Sequence, residues 1–350
     1  MSRGGAPDGA RALLLALALS APAAAQEPAD VFDFTELAEG VFAATVRPGP
    51  PMYVFANSLV VVGEAGVLVV DAHASPSASR AFLRELGRLT DLPVTHLVNT
   101  HWHTDHTMGN AAFVEANPDV AIIATRATAE AMATLGRAAY QADVDTLPVS
   151  ADRRRTWASE RLGPQGQELS EATAARLLRS ADLRDAQARE LAQTDYLEPT
   201  LTFQDRLRID LGDRVVEVRS LGPAHTVGDA VVWLSNERIL AAGDLLEDAF
   251  PWIDANSDVA GWAQALGFLR ALDAAVVLPA HGRVRRAPEY VESAAGLLGE
   301  VVRAALLGEE TPADPAALRR FYARFGLSRE AFDRAFAAAV ASAGLRIEDR

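Results

Sequence analysis

Hydrophobic residues change their spacing several times along this chain, and the changes divide it into strands and helices. Between Phe34 and Asp71 the pattern is short and β-branched. Val41–Arg47, Ser58–Val62 and Gly66–Val70 read as strands, separated by the turn-forming runs Pro48–Pro51 and Gly63–Gly66. Ser77–Leu89 shifts to a helical period, with Phe82, Leu83, Leu86 and Leu89 on one face. Val94–Thr100 reads as a buried strand, Thr107–Val114 as a glycine turn entering a helix, and Val120–Ala124 as another strand. Residues 126–192 carry little β signal. Ala, Arg and Glu dominate there, and two or three helices are expected around a loop at Gly163–Gly166. Strand patterns return at Leu201–Ile209, Val215–Ser220, Ala230–Leu234 and Arg238–Ala242, followed by a helical stretch over Val259–Leu272. A buried strand, Ala274–Leu278, runs into Pro279–Gly282, and Pro288 to about Ser342 reads as helix. In that last stretch Phe321, Tyr322, Phe325, Phe332 and Phe336 recur at helical spacing and are read as packing. Two rounds of strands followed by helices predict two sheets packed together with helices outside.

The amino terminus does not fit that scheme. Arg3 and Arg11 precede an apolar run, Ala12–Leu19, and Ala23–Ala25 supplies small residues for cleavage before Gln26. This is a secretory signal pattern over residues 1–25, too short to span a membrane, so a secreted or periplasmic location is expected. The remainder divides into a catalytic-type domain over 34–285, with 126–192 as a helical insertion, and a helical extension over 286–350. The insertion is read either as lying at the rim of a site or as a connecting layer.

Composition narrows the chemistry. With 350 residues and 49% hydrophobic positions the chain can bury a substantial core. It contains no Cys, so an exported form holds together without disulfides and has no thiolate nucleophile or ligand. All 33 basic residues are Arg, which excludes Schiff-base chemistry on lysine. The formal charge of −14 becomes −15 without residues 1–25, which carry Arg3, Arg11 and Asp8. Such a surface argues against nucleic acid and against anionic membranes as partners, and says little about a small substrate, which sees only the local field; protein partners stay open.

Of seven His, three fall within His101–His106, together with Asp105. Imidazole with carboxylate suits zinc, iron or manganese better than calcium or magnesium. The segment follows a predicted strand, where an α/β scaffold places chemistry. His225 in Leu221–Gly228, Asp244 after Arg238–Gly243 and His281 after Val276–Ala280 share one arrangement, a polar residue on a turn next to a strand. Singly, Asp244 reads equally as a helix cap, and His225 and His281 as capping or core residues. Together with the His101–His106 cluster they are candidates for one converging metal site. Asp71, at a strand end, is a candidate partner of a ligand histidine. His73 is read as such a partner or as solvated, and His96 as structural. Trp102, Met108, Met52, Tyr53 and Trp252 are candidate cleft walls.

The sequence HWHTDH from His101, then GPAHTVGD, AAGDLLE and LPAHG in that order, resembles the metallo-β-lactamase-fold hydrolase superfamily over roughly Phe42–Gly282. The resemblance implies an α/β fold, an αββα sandwich of two mixed sheets flanked by helices, with two Zn2+ at one edge. It implies that His101, His103 and His225 bind the first metal, and Asp105, His106 and His281 the second. Asp244 matches a bridging carboxylate of the glyoxalase-like branch. Two metals sharing a water lower its pKa to about 7, which makes a bridging hydroxide the expected nucleophile, with Asp105 as the catalytic residue orienting it.

Substrate is less defined. The arrangement resembles class B β-lactamases, yet Asp244 stands where many of those enzymes have Cys. Glu247 stands where a lysine often grips the substrate carboxylate, so repulsion of that carboxylate is expected. A β-lactam, lactone, ester or thioester is the expected substrate range. The alternatives are a thioesterase, lactonase or quinoprotein-associated hydrolase, and, in another class, a non-haem iron redox enzyme or a metal-binding protein.

Overall fold

The computed structural model describes residues 30–50, 52, 56–248, 250–286, 288–323 and 328–348. The expected signal segment, Tyr53 and Phe325 lie outside them. Seven strands form the first sheet in chain order: β1 (Phe32–Ala38), β2 (Val41–Val46), β3 (Ser58–Gly63), β4 (Gly66–Val70), β5 (Val94–Val98), β6 (Ala121–Thr125) and β7 (Leu201–Phe203). β1 to β4 pair antiparallel, and β4 to β7 run parallel, each joined by a helical crossover. The second sheet holds β8 (Arg206–Asp210), β9 (Val215–Ser220), β10 (Ala230–Leu234), β11 (Ile239–Ala241) and β12 (Val276–Leu278), antiparallel except for the parallel β11–β12 pair.

Period-2 alternation decides which face each residue serves. Along β3, Leu59 and Val61 enter the layer between the sheets, while Val60 faces outward beneath helices. Val41, Leu68, Val98 and Ile123 from the first sheet meet Val216, Val218, Val232 and Leu278 from the second. Each such side chain contributes about 1.5–3 kcal/mol through removal from water. Helices α1 (Pro76–Leu86), α2 (Thr104–Thr107) and α3 (Asn110–Ala116) follow β4 and β5, and α1 and α3 cover the first sheet. α4 (Arg126–Ala131), a π-turn at Met132–Gly136, α5 (Arg137–Glu160) and α6 (Glu171–Leu191) fill the β6–β7 crossover. α7 (Val259–Ala271), α8 (Pro288–Leu307), α9 (Pro315–Ala323) and α10 (Arg329–Glu348) lie on the other side, where Trp262, Leu266, Leu297, Val301 and Phe336 join one apolar cluster over the second sheet. The layers are thus αββα, the expected fold class. No helix of the described residues is long and apolar enough to cross a membrane.

Several expectations change in detail. Leu201–Ile209 is not one strand: the chain bends at Gln204 and Asp205, so β7 completes the first sheet and β8 opens the second. Both halves are β-rich, and sequence periodicity does not register a change of partner. The terminal helical stretch is three helices, and a further strand, β1, precedes those expected. The His101–His106 segment contains the helical turn α2 from Thr104.

Candidate metal centre

Five strands end at one edge of the sandwich. β4 leads into Asp71, β5 into His101, β9 into His225, β11 into Asp244 and β12 into His281. Parallel pairing within β4–β5 and β11–β12 gives those neighbours the same direction, which places their following turns together.

On the first sheet the turn is held from behind. Asp71 adopts a left-handed backbone (φ 65°), a conformation Asp tolerates better than most residues. Its carboxylate accepts hydrogen bonds from the Thr100 backbone N–H (2.8 Å) and hydroxyl (2.9 Å). The same carboxylate lies 2.9 Å from His106 Nδ1, so that nitrogen donates and Nε2 is left to face the cluster. Asn99 Nδ2 donates to the His106 carbonyl (3.2 Å) and pairs with Asn110. Starting α2 at Thr104 turns Asp105 and His106 back over His101. Gly109 passes so close to the Ala72 carbonyl and Ser79 Oγ that any side chain would collide.

The second sheet presents its three residues one at a time. Asp229 accepts from the Thr226 N–H (2.7 Å) and hydroxyl (2.9 Å), closing the His225 loop. The Ser257 hydroxyl donates to the His225 carbonyl (2.9 Å), and the Trp262 ring packs on the His225 ring. Gly243 has φ 54° and lies against Thr100, where a β-carbon would sit 2.9 Å from the Thr100 hydroxyl. This close approach brings Asp244 to the first sheet's turn. Asn57, from the start of β3, donates to the Pro279 (3.0 Å) and Gly282 (2.8 Å) carbonyls and so fixes the turn carrying His281.

The seven side chains meet as two groups whose ligand-type atoms lie within 4.8 Å of one another: His101, His103, His225 and Asp244, and Asp105, His106 and His281. Asp244 stands between them. Its Oδ2 is 3.5 Å from His101 Nε2 and from His225 Nε2. Its Oδ1 is 3.4 Å from His106 Nε2 and from His281 Nε2. His101 Nε2, His106 Nε2, His225 Nδ1 and Asp244 Oδ1 are buried without a hydrogen-bond partner. Orphaned buried polar atoms are costly, about 1–3 kcal/mol each, and the three that face the cluster, on His101, His106 and Asp244, fit a site for cations.

A family model described as the metallo-beta-lactamase superfamily matches residues 53–281. The chain belongs to the metallo-beta-lactamase superfamily. A linear primary-alkylsulfatase of Pseudomonas sp. is 25% identical over 246 residues, 65% of this chain and 41% of that protein. The 2,4-dinitroanisole O-demethylase subunit alpha of Nocardioides sp. is 35% identical over 108 residues, 30% of this chain and 29% of that protein. The chain therefore spans less than half the length of either relative. Among solved structures, a metallo-beta-lactamase from Pontibacter korlensis shares the fold, with a TM-score of 0.53, 20% identity, and cover of 77% of this chain and 99% of that one.

The electrostatics of this superfamily member split along the same two groups. Burial holds His101 and His103 below the ordinary imidazole range and His225 down at about 4, so these rings present neutral lone pairs. Burial also opposes charge on His106 and His281, but Asp105 and Asp244 override it. His106 is raised well above 6.5, with Asp71 adding to the pull, and His281 is pushed up to about 11. Burial alone would raise Asp105 and Asp244, yet the charged rings beside them, His106 foremost, hold both well below the usual carboxylate range. Without cations the second group is a nest of imidazolium–carboxylate pairs, and it must release protons to bind one. Glu247 forms a backbone bridge with His281, and burial followed by the neighbouring Asp244 pushes its carboxyl up to about 8.

The structure brings all seven candidate residues together. Several other readings change. His73 is not solvated: it is fully buried against Phe32 and Phe82, with Nδ1 at 3.0 Å from the Ala56 carbonyl. Trp102 and Met108 are 7% and 2% exposed and pack with Met132, Tyr140, Leu191 and Tyr196, so they anchor the helical insertion behind the turn. Met52 packs beneath the first sheet, His96 is half-buried with Nδ1 at 2.9 Å from Thr95 Oγ1, and Trp252 stands 66% exposed. Asn57, Asn99, Thr100 and Asp229 were not recognised from sequence. Asp229, inside the His225 motif, was within reach of a capping argument, whereas Asn57 acts across more than two hundred residues and leaves no local signal.

Proposed function

We propose that this chain is an exported hydrolase with two zinc ions, acting on a carbonyl substrate such as a lactone, ester, thioester or β-lactam. The observation that carries this reading is the pair of side-chain groups sharing Asp244, one oxygen toward each. His101, His103 and His225 would hold one ion, Asp105, His106 and His281 the other, and Asp244 both. Bound there, zinc would lower the pKa of water toward about 7 and polarise a carbonyl. Neutral imidazoles suit the first position. Asp105 is 26% exposed on its side chain and lies 3.2 Å from His281 Nε2. It is the ligand-type carboxylate open to the cleft; its Oδ2 faces His106 and His281, and the carboxylate would orient the attacking water and help pass its proton to the leaving group. Asp71 keeps His106 in one tautomer and one orientation. The signal-type segment over residues 1–25 supports export.

A second reading, sulfate-ester hydrolysis, is favoured by the similarity to the alkylsulfatase. Metal analysis of the purified protein with a hydrolysis panel separates the readings. Close to two zinc per chain and turnover of a lactone, thioester, carboxylic ester or nitrocefin is expected. Iron with an optical band would replace the hydrolase with a redox enzyme, and turnover confined to a primary alkyl sulfate would replace the substrate class.

A further inference from the structure

The imidazoles of the centre are not all held in the same way. His106 Nδ1 lies 2.9 Å from the Asp71 carboxylate and His101 Nδ1 lies 3.1 Å from Thr100 Oγ1, so in each the nitrogen turned away from the cluster is hydrogen-bonded. His103 and His225 differ. They face each other, with His103 Nδ1 3.2 Å from His225 Nε2. On the far side, His225 Nδ1 is buried without a partner, and His103 Nε2 has none among the described residues. Each ring has an indole beside it instead. The Trp102 ring stands 4.5 Å from the His103 ring at 76°, and the Trp262 ring 5.1 Å from the His225 ring at 68°. Both are edge-to-face arrangements of the kind that aromatic pairs prefer.

These indoles are anchored in different helical layers. Trp102 packs with Met132 of the π-turn, Tyr140 of α5, Leu191 of α6 and Tyr196, all brought by the β6–β7 crossover. Trp262, on α7, is fully buried in the cluster over the second sheet. Its Nε1–H donates to the carbonyl of Leu245, next to Asp244 (3.1 Å). A ligand histidine is ordinarily oriented by a hydrogen bond to its far nitrogen. Without one, the ring is free to swing, unless packing locks its rotamer. We infer that Trp102 and Trp262 are positioning residues for the first metal position: they hold His103 and His225 by ring packing, where Asp71 holds His106 by a hydrogen bond. The helical insertion over 126–192 therefore belongs to the centre, because it keeps the Trp102 indole against His103. The inference rests on the two-metal part of the proposed function and not on its substrate.

The test is a cobalt(II) titration of the full chain, read by visible absorption and by the paramagnetically shifted proton signals of the ligand imidazoles, without any turnover. Trp102→Leu and Trp262→Leu remove the ring but keep an apolar side chain, whereas Trp102→Phe and Trp262→Phe keep an aromatic one. We expect both Leu variants to weaken the same cobalt-binding step by about three- to tenfold and to leave the other step unchanged. The Phe variants should stay within about twofold of the wild type, yet each should still move the signals of one imidazole. Met108, in the same cluster as Trp102 but with Sδ 3.8 Å from Gln187 Nε2 of α6, supplies the control. Met108→Ala should lose stability in urea and keep both binding steps. Wild-type affinity in the Leu variants, a loss spread equally over both steps, or an equal loss in Met108→Ala overturns the inference. If a Leu variant does not fold, its Phe counterpart decides, and unmoved imidazole signals overturn the inference. Cobalt bound as expected with no ester, lactone or thioester hydrolysed supports the positioning role and ends the hydrolase reading. A wild type that binds no cobalt removes both.

Discussion

The first sheet delivers four of the clustered side chains from one short segment, His101–His106, whereas the second delivers His225, Asp244 and His281 from three separate turns. The first half is therefore built mostly by local connectivity. A strand end, one helical turn and the Asp71–Thr100 clamp, all belonging to the first sheet, fix it. The second half exists only when the sandwich has closed, because Gly243 must approach Thr100 and Asn57 must reach the turn beside His281. Proximity in sequence makes a site recognisable, and packing between the sheets makes it complete.

The sharpest way to break this comparison is to remove the side chain on which both halves meet. Asp244→Ala takes away the carboxylate lying between the two groups. It should lower metal content below one equivalent and cut turnover by about a thousandfold or more, read by metal analysis and steady-state kinetics. Retention of both ions would show that the halves do not depend on a shared ligand.

Asp105→Asn keeps size and fold but removes a negative ligand and a proton acceptor from the first half. Turnover of a carboxylic ester should fall by roughly a hundred- to a thousandfold with an unchanged circular dichroism spectrum. Near-normal kcat with both metals bound would take Asp105 out of the chemistry.

Asp71→Asn probes the clamp rather than the ligands. Asn tolerates the left-handed backbone at this position, so the effect should be confined to His106: about a 10- to 100-fold weaker zinc affinity in a competition titration. An unaltered affinity would mean that the Asp71–His106 contact is structural only.

The smallest effects concern pH, and the halves should respond in opposite directions. In the metal-free protein burial pushes His73, behind the first sheet, down to about 3. Its contribution to stability is present above 6.5 and is lost as pH falls toward 3. Burial pushes Asp229, under the His225 loop, up to about 7. Its contribution is present below 3.8 and is lost as pH rises toward 7. Urea unfolding of His73→Phe should therefore lose less stability than the wild type between pH 6.5 and pH 5. Asp229→Asn should lose less as pH rises from 5 to 7, each by roughly 1 kcal/mol. Identical slopes in variant and wild type would remove either residue from the linkage.

The periods of apolar residues predicted nearly every element, because strand and helix alternation are local properties of the chain. The candidate site was legible for a related reason: three imidazoles and a carboxylate in six positions are improbable as packing, and the later turns each carry a ligand-type residue beside a strand. The break at Gln204 was not legible, since both flanking strands read alike. Trp102 and Met108 read equally as cleft wall or core, and only the docked insertion made them core.

By itself, then, the sequence determined the layered α/β class, the ligand-type residues and the order in which they appear. Tertiary structure decided what supports them: Asp71 behind His106 and Asn57 under the last turn. The physical reason is range. Periodicity and ligand type are encoded residue by residue, whereas a hydrogen bond or a charge acting between distant segments depends on which surfaces the closing sandwich brings together.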